Sequence, residues 1–138
     1  MKIMLDANVC LDLLDTKRPT SQKSVKWYLS CKDNEEDLFY FSADFIMTFY
    51  YILTEKRKHD PKMTLNTIDA LSEEIAPLYL THGDYIHAKE LFLDDFFEDF
   101  EDLLLLCSAS RAGITHLITN DKKLLQLERF ESIKIVAP

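Results

Sequence analysis

Three aspartates occupy positions from which a sheet protein can do chemistry. Asp6 closes the short apolar run Lys2–Leu5, Asp121 follows the run His116–Thr119, and Asp102 opens the apolar stretch Leu103–Leu106. In a parallel sheet, ligands bind beyond the carboxyl ends of the strands, which places Asp6 and Asp121 on one rim. A carboxylate at the start of a helix, as expected for Asp102, is favoured by the positive end of the helix dipole. The three meet only if the first and fourth strands are neighbours. An all-oxygen cluster of this kind suits a hard cation, Mg²⁺ or Mn²⁺. Each acid also has a plain structural use, as a strand terminator, a first-turn helix acid or a turn residue beside Asn120. Asn8 can cap the helix that follows and support Asp6 at once. Asp12 is either part of this group or a solvent-facing helix residue.

Other chemistries find little support. With only 2 glycines, Gly83 and Gly113, the chain has no glycine-rich phosphate loop. His59, His82, His87 and His116 lack the company of a triad or a metal set and read as structural or surface residues. Cys10, Cys31 and Cys107 are odd in number and show no CxxC spacing, as expected for reduced thiols in a cytoplasmic protein. No stretch approaches the length of a membrane span, and the first acid arrives too early for a secretory signal. The 24 acidic against 16 basic residues give a net charge of −8, the wrong sign for wrapping nucleic acid by bulk attraction. A nucleic-acid role must therefore rest on a local site. Much of the acidic excess also reads as ordinary solvated surface.

The elements that must position these groups follow from apolar spacing. Strands are expected at Lys2–Leu5, Leu38–Phe41, His116–Thr119 and Ile133–Val136, with Ala76–Leu80 a short strand or extended arm. Helices are expected from Asn8 to near Asp15, over Ser21–Cys31, and from Ser42 or Asp44 to the basic end at Lys56-Arg57-Lys58. Others cover Met63–Ile75, Asp84–Leu93, Asp102–Arg111 and Lys122–Leu127, with Gly113 in the position that ends a helix. The helical pair around 43–75 is expected to project as a small lobe over the sheet edge. Phe96, Phe97 and Phe100, set among acids, either anchor a loop or form a partner face. Strands alternating with helices through long connections call for an α/β fold with a central, mostly parallel sheet of four to five strands flanked by helices in three layers. The 138 residues read as one domain.

At this point the chain resembles the PIN-domain family, the small metal-dependent ribonucleases typified by toxin components of bacterial toxin–antitoxin pairs. Met4-Leu-Asp-Ala-Asn-Val-Cys-Leu-Asp-Leu-Leu14 is similar to the family's first motif, Asp99-Phe-Glu-Asp-Leu103 to its third, and Leu117-Ile-Thr-Asn-Asp121 to its fourth. The resemblance covers essentially the whole chain in the family's order. It implies that Asp6, Asp102 and Asp121 are metal-site carboxylates, with Asp99 one helical turn before Asp102 leaning into the same cleft. It implies supporting roles for Asn8, Asp12, Ser42 and Thr119. The second motif departs from the pattern: the family's Glu, about six residues after Ser42, falls on Thr48, a hydroxyl that brings no charge. Asp44 lies one turn earlier and is either a substitute or a first-turn helix acid.

The chemistry implied by the resemblance is hydrolysis of RNA phosphodiester bonds with Mg²⁺ or Mn²⁺ as cofactor. The lost carboxylate leaves a second reading open, a catalytically weak or inactive module that binds RNA or a protein. Lys122, Lys123 and Arg111 are candidate substrate contacts, with Lys17, Arg18 and Lys56-Arg57-Lys58 further away. An antitoxin protein and a homodimer are the partners implied by the family.

Overall fold

The computed structural model describes residues 1–138. The chain runs β1 (Lys2–Leu5), α1 (Ala7–Leu14), α2 (Ser21–Cys31), β2 (Leu38–Ser42) and α3 (Phe45–Tyr51), which continues as a π-helical turn over Ile52–Lys56. It goes on through α4 (Pro61–Glu74), β3 (Ala76–Leu78), α5 (His82–Leu93), α6 (Phe100–Arg111), β4 (His116–Ile118), α7 (Lys122–Leu127), β5 (Arg129–Phe130) and β6 (Ile133–Val136). The sheet has six strands in the order β3-β2-β1-β4-β6-β5, parallel throughout except for the β5–β6 pair. The sixth strand is β5, which escapes sequence reading because two residues carry no period. It pairs with β6 as Arg129↔Lys134 and Phe130↔Ile133.

Strand alternation divides the core into two layers. Ile3 and Leu5 of β1, Phe39 and Phe41 of β2 and Ile118 of β4 face α1, α2, α3 and α4. Met4, Leu117, Ile133 and Ile135 face the other way, against Ala88 of α5, Leu103, Leu106 and Cys107 of α6 and Leu124 of α7. A parallel sheet covered on both faces needs apolar residues at successive positions, which is why β1 reads as a continuous run. The pair α3–α4 is no separate lobe. Phe49, Ile68, Leu71 and Ile75 are buried on the sheet face with Phe41, and the Phe41 and Phe49 rings lie 5.8 Å apart.

Local chemistry explains most boundaries. Asp60 caps α4 by accepting from the Met63 N–H, with Pro61 in the first turn, where its missing N–H is no loss. Thr81 and Asp84 form a reciprocal capping box at α5. Gly113 takes φ +75° just after α6, a backbone conformation that a side chain would strain. Asp15, buried at the end of α1, accepts the Lys17 N–H and holds Arg57 at 2.7 Å, tying α1 to the end of α3. The acid–aromatic segment before α6 is anchored by its rings. Phe100 meets Tyr85 and Phe92 edge-on at 6.1 and 5.8 Å, and Phe96 meets Phe130 at 5.8 Å.

Phe49 has no accessible surface and joins α3 to the sheet. Phe49→Ala is expected to cost about 3–5 kcal/mol of stability, read from urea denaturation midpoints. A loss below about 1 kcal/mol would mean that α3 is not part of the cooperative core.

Candidate functional site

Parallel pairing of β1 with β4 brings the first and fourth motifs together. The ladder continues one residue past β1, the Asp6 N–H donating to the Ile118 carbonyl at 2.9 Å. Asp6 then turns the chain into α1 as its N-cap, Oδ1 accepting the Ala7 N–H at 2.7 Å. The capping role expected of Asn8 thus belongs to Asp6. Asn8 instead spans the gap between the strands: its Nδ2 donates to Asp6 Oδ2 at 3.0 Å, and its Oδ1 accepts the Asn120 N–H at 3.0 Å. The fully buried Thr119 hydroxyl donates to Asp6 Oδ2 at 2.7 Å and accepts the Asp121 N–H at 3.0 Å. Asp121 caps α7 through Oδ1, which accepts from the Lys123 and Leu124 N–H groups.

A cavity of about 430 Å³ opens beside this network, with Asp6, Ser42, Asp44, Thr48, Glu101 and Asp102 on its walls. Ser42 ends β2, and Thr48 lies on α3 one turn after Asp44. Asp44 stands at the N-terminus of α3 but makes no capping hydrogen bond, so its carboxylate is uncommitted. Glu101, beside Asp102 in the first turn of α6, was not singled out from the sequence. Its only signal there is adjacency to Asp102. Asp99 caps α6, its Oδ1 accepting the Asp102 N–H at 3.1 Å. Asp99 and Asp121 do not line the cavity, yet their charges reach Asp102.

The carboxylates crowd one another. Burial pushes Asp102 up to about 7, reinforced by the negative charges of Asp99, Asp6, Asp121 and Glu101, with no hydrogen bond to offset them. Burial also raises Asp6, and Asp121 adds to the effect, while hydrogen bonds from Thr119, Ala7 and Asn8 oppose it. Asp12 is the contrast. It is fully buried, and burial alone would raise it. Hydrogen bonds from Ser24, Arg18 and Thr20 and the guanidinium charge of Arg18 outweigh that and hold it below the usual carboxylate range.

The basic candidates sit differently. Arg111 is engaged by Asp84, with Nε and Nη2 2.8 and 3.0 Å from its two oxygens, and by the Tyr79 carbonyl. Lys123 is exposed and pairs with Glu98 at 2.8 Å. Lys122, exposed at the first position of α7, makes no ion pair.

For a divalent cation, the donor chemistry fits: every group on the rim is a hard oxygen, and Asp102 and Asp44 have oxygens to spare. The spacing is open. No three carboxylate, histidine or cysteine side chains stand close enough together to hold one ion. Asp6 and Asp102 are the groups that would hold it.

A mostly parallel α/β sheet whose carboxyl rim gathers acids from β1, α6 and the β4–α7 turn defines the class: an acid-cleft α/β domain. The sequence profile of the PIN domain matches residues 3–130, and the chain belongs to the PIN-domain family. It is 31% identical over 122 residues to ribonuclease VapC1 of Aquifex aeolicus, covering 88% of this chain and 82% of that one, which relates it to the VapC-type toxin ribonucleases. Its fold is similar to that of Mycobacterium tuberculosis VapC20, a sarcin–ricin loop cleaving toxin, with a TM-score of 0.71, 15% identity and 96% and 98% of the two chains covered. It is also similar to a chain of Rickettsia felis VapBC2, solved bound to a DNA fragment from its promoter, with a TM-score of 0.68, 14% identity and 99% and 98% coverage. No helix is long and apolar enough to cross a membrane.

With Asp102 raised, the folded chain binds more protons than the unfolded chain between the ordinary carboxylate range and about 7. Stability must fall as pH rises through that window. Thermal unfolding of the metal-free protein is expected to show Tm decreasing from about pH 5 to about pH 8, with a smaller decrease in Asp102→Asn. Identical slopes in the two proteins would show that Asp102 is not crowded.

Proposed function

We propose that this chain is an RNA-binding PIN module with weak metal-dependent endoribonuclease activity, acting as the toxin-type half of a toxin–antitoxin pair. The observation that carries the reading is the composition of the cleft: Asp6 and Asp102 share one cavity, and the second-motif position on its wall is Thr48. Kinship with ribonuclease VapC1 supports RNA as the ligand.

The chain's own residues have distinct parts. Asp6, held by three hydrogen-bond donors, is a fixed acceptor at the centre of the rim. Asp102, raised to about 7 by burial and its acidic neighbours, holds its proton more readily than an ordinary carboxylate, and a positive charge beside it would favour the ionised form. When bound, a divalent ion supplies charge neutralisation at a phosphodiester and activation of water. Mg²⁺ and Mn²⁺ are the ions that suit the oxygen set. Thr48 offers a hydroxyl but no charge, so the second-motif position adds no carboxylate to those of Asp6, Asp44, Glu101 and Asp102 on the wall. Activity is accordingly weak. Asp44 is the uncommitted carboxylate nearest in sequence to that deficit. Lys122, free of any ion pair beside Asp121, is the best-placed cation for an RNA phosphate; Lys123 joins it once released from Glu98.

Family kinship supports an antitoxin and a second copy of the chain as further partners. In this reading the protein works in the cytoplasm, where its three free thiols stay reduced.

A labelled single-stranded RNA incubated with Mn²⁺ tests this. Wild type is expected to cut slowly, Asp6→Asn to lose cutting, and Thr48→Glu to gain roughly tenfold or more. Filter retention of RNA is expected for all three. Rapid cutting by wild type with no gain in Thr48→Glu would refute the weakened site, and loss of both cutting and retention would remove RNA as the ligand.

A further inference from the structure

The most heavily bonded charge in the molecule lies outside the cleft. Asp12, on the last turns of α1, is fully buried and accepts from Arg18 Nε at 2.8 Å, the Thr20 hydroxyl at 2.7 Å, the Ser24 hydroxyl at 2.5 Å and Asn120 Nδ2 at 3.2 Å. Three of these donors belong to the α1–α2 segment and would serve only to dock α2. The fourth belongs to the turn that carries Asp121. Beside the Thr119 N–H bond to the Val136 carbonyl and the Asn8 Nδ2 bond to the Thr119 hydroxyl, three contacts hold that turn: Thr119 on Asp6, the Asn120 N–H on Asn8, and the Asn120 side chain on Asp12. All three partners are on β1–α1, so one rigid helix start sets the distance between them. Asp12 lies about 9 Å along the axis from Asp6, giving the turn a long lever arm against rotation. Hydrogen bonds from Ser24, Arg18 and Thr20 favour the ionised form of Asp12, an acceptor only, which selects the Asn120 amide orientation with Nδ2 inward.

We propose that Asp12, anchored by Arg18 and acting through Asn120, is a positioning residue that sets where Asp121 stands on the rim. This rests on the proposed reading of the cleft as a cation- and RNA-binding site. It assigns the Arg18–Asp12–Asn120 chain a task beyond docking α2. The Thr119 and Asn8 contacts place the start of the turn; the Asp12 contact fixes the rotation of Asn120 and hence the direction in which the following residue leaves.

The test compares Asp12→Asn, Asn120→Ala, their double variant and Thr20→Val, which removes a donor from Asp12 Oδ1 and leaves the Oδ2 that Asn120 uses. Two readouts apply: amide hydrogen exchange over 119–124 in the metal-free protein, and calorimetric titration with Mn²⁺ alone. Asp12→Asn and Asn120→Ala are each expected to speed exchange over 119–124 about tenfold and to weaken Mn²⁺ about tenfold. The double variant should add nothing further, while Thr20→Val lowers Tm but leaves both readouts in place. Equal effects from Thr20→Val, or unchanged exchange in Asn120→Ala, would overturn the proposal. Asn120→Ala decides the matter even if Asp12→Asn fails to fold, since Asn120 is only partly buried. If wild type takes up no Mn²⁺, the metal reading of the cleft fails, and exchange alone decides whether Asp12 holds the turn.

Discussion

Adjacency of β1 and β4 in parallel register is the constraint on which the cleft depends. It carries the chain ends after Leu5 and Ile118 to the same rim, where the Thr119 hydroxyl can reach Asp6 across 113 residues of sequence. Parallel strands cannot be joined by a tight turn. Everything between them must therefore cross over the sheet, and α1 to α6 lie in that excursion. The helices that bury the sheet also deliver Thr48, Glu101 and Asp102 to the cavity, where they meet Ser42 at the end of β2.

Electrostatics distinguishes three aspartates, two of them buried and Asp102 partly buried. Asp12 is paid for by a guanidinium and two hydroxyls and stays charged in the interior. Asp6 has three donors but faces Asp121, and its balance tips toward the proton. Asp102 has no donor and several acidic neighbours, and burial with their charges raises it to about 7. The ordering follows from whether the local field is completed by the protein itself. Where it is completed, the group is structural; where it is left open, the group is available to something positive from outside.

Thr48 bears on the same balance. A carboxylate there would add a further negative charge to a rim that already pushes Asp102 up, stabilising a bound cation and destabilising the empty cleft. A hydroxyl does neither. The rim with Thr48 is thus less strained without a cation and less attractive to one. The open spacing of the acids agrees with that compromise.

Much of the architecture was legible because it depends on local period and local chemistry. The spans of α2 and α7 and the bounds of β1 and β6 match the apolar spacing, while a shared rim for Asp6 and Asp121 was conditional on β1 and β4 being neighbours, which they are. Capping was less legible, since Asp6 and Asn8 both suit an N-cap and only backbone angles choose between them. Glu101 and the uncommitted state of Asp44 were hidden because exposed first-turn acids look alike in sequence. Asp12 could be read as solvent-facing; its burial depends on Arg18, Ser24 and Asn120, the last 108 residues away. The amino-acid sequence by itself determined which segments become strand or helix and which groups can ionise, because side-chain period and identity are local properties. Only the tertiary structure decided which of those acids carries a charge, because that depends on burial and on distances between groups remote along the chain.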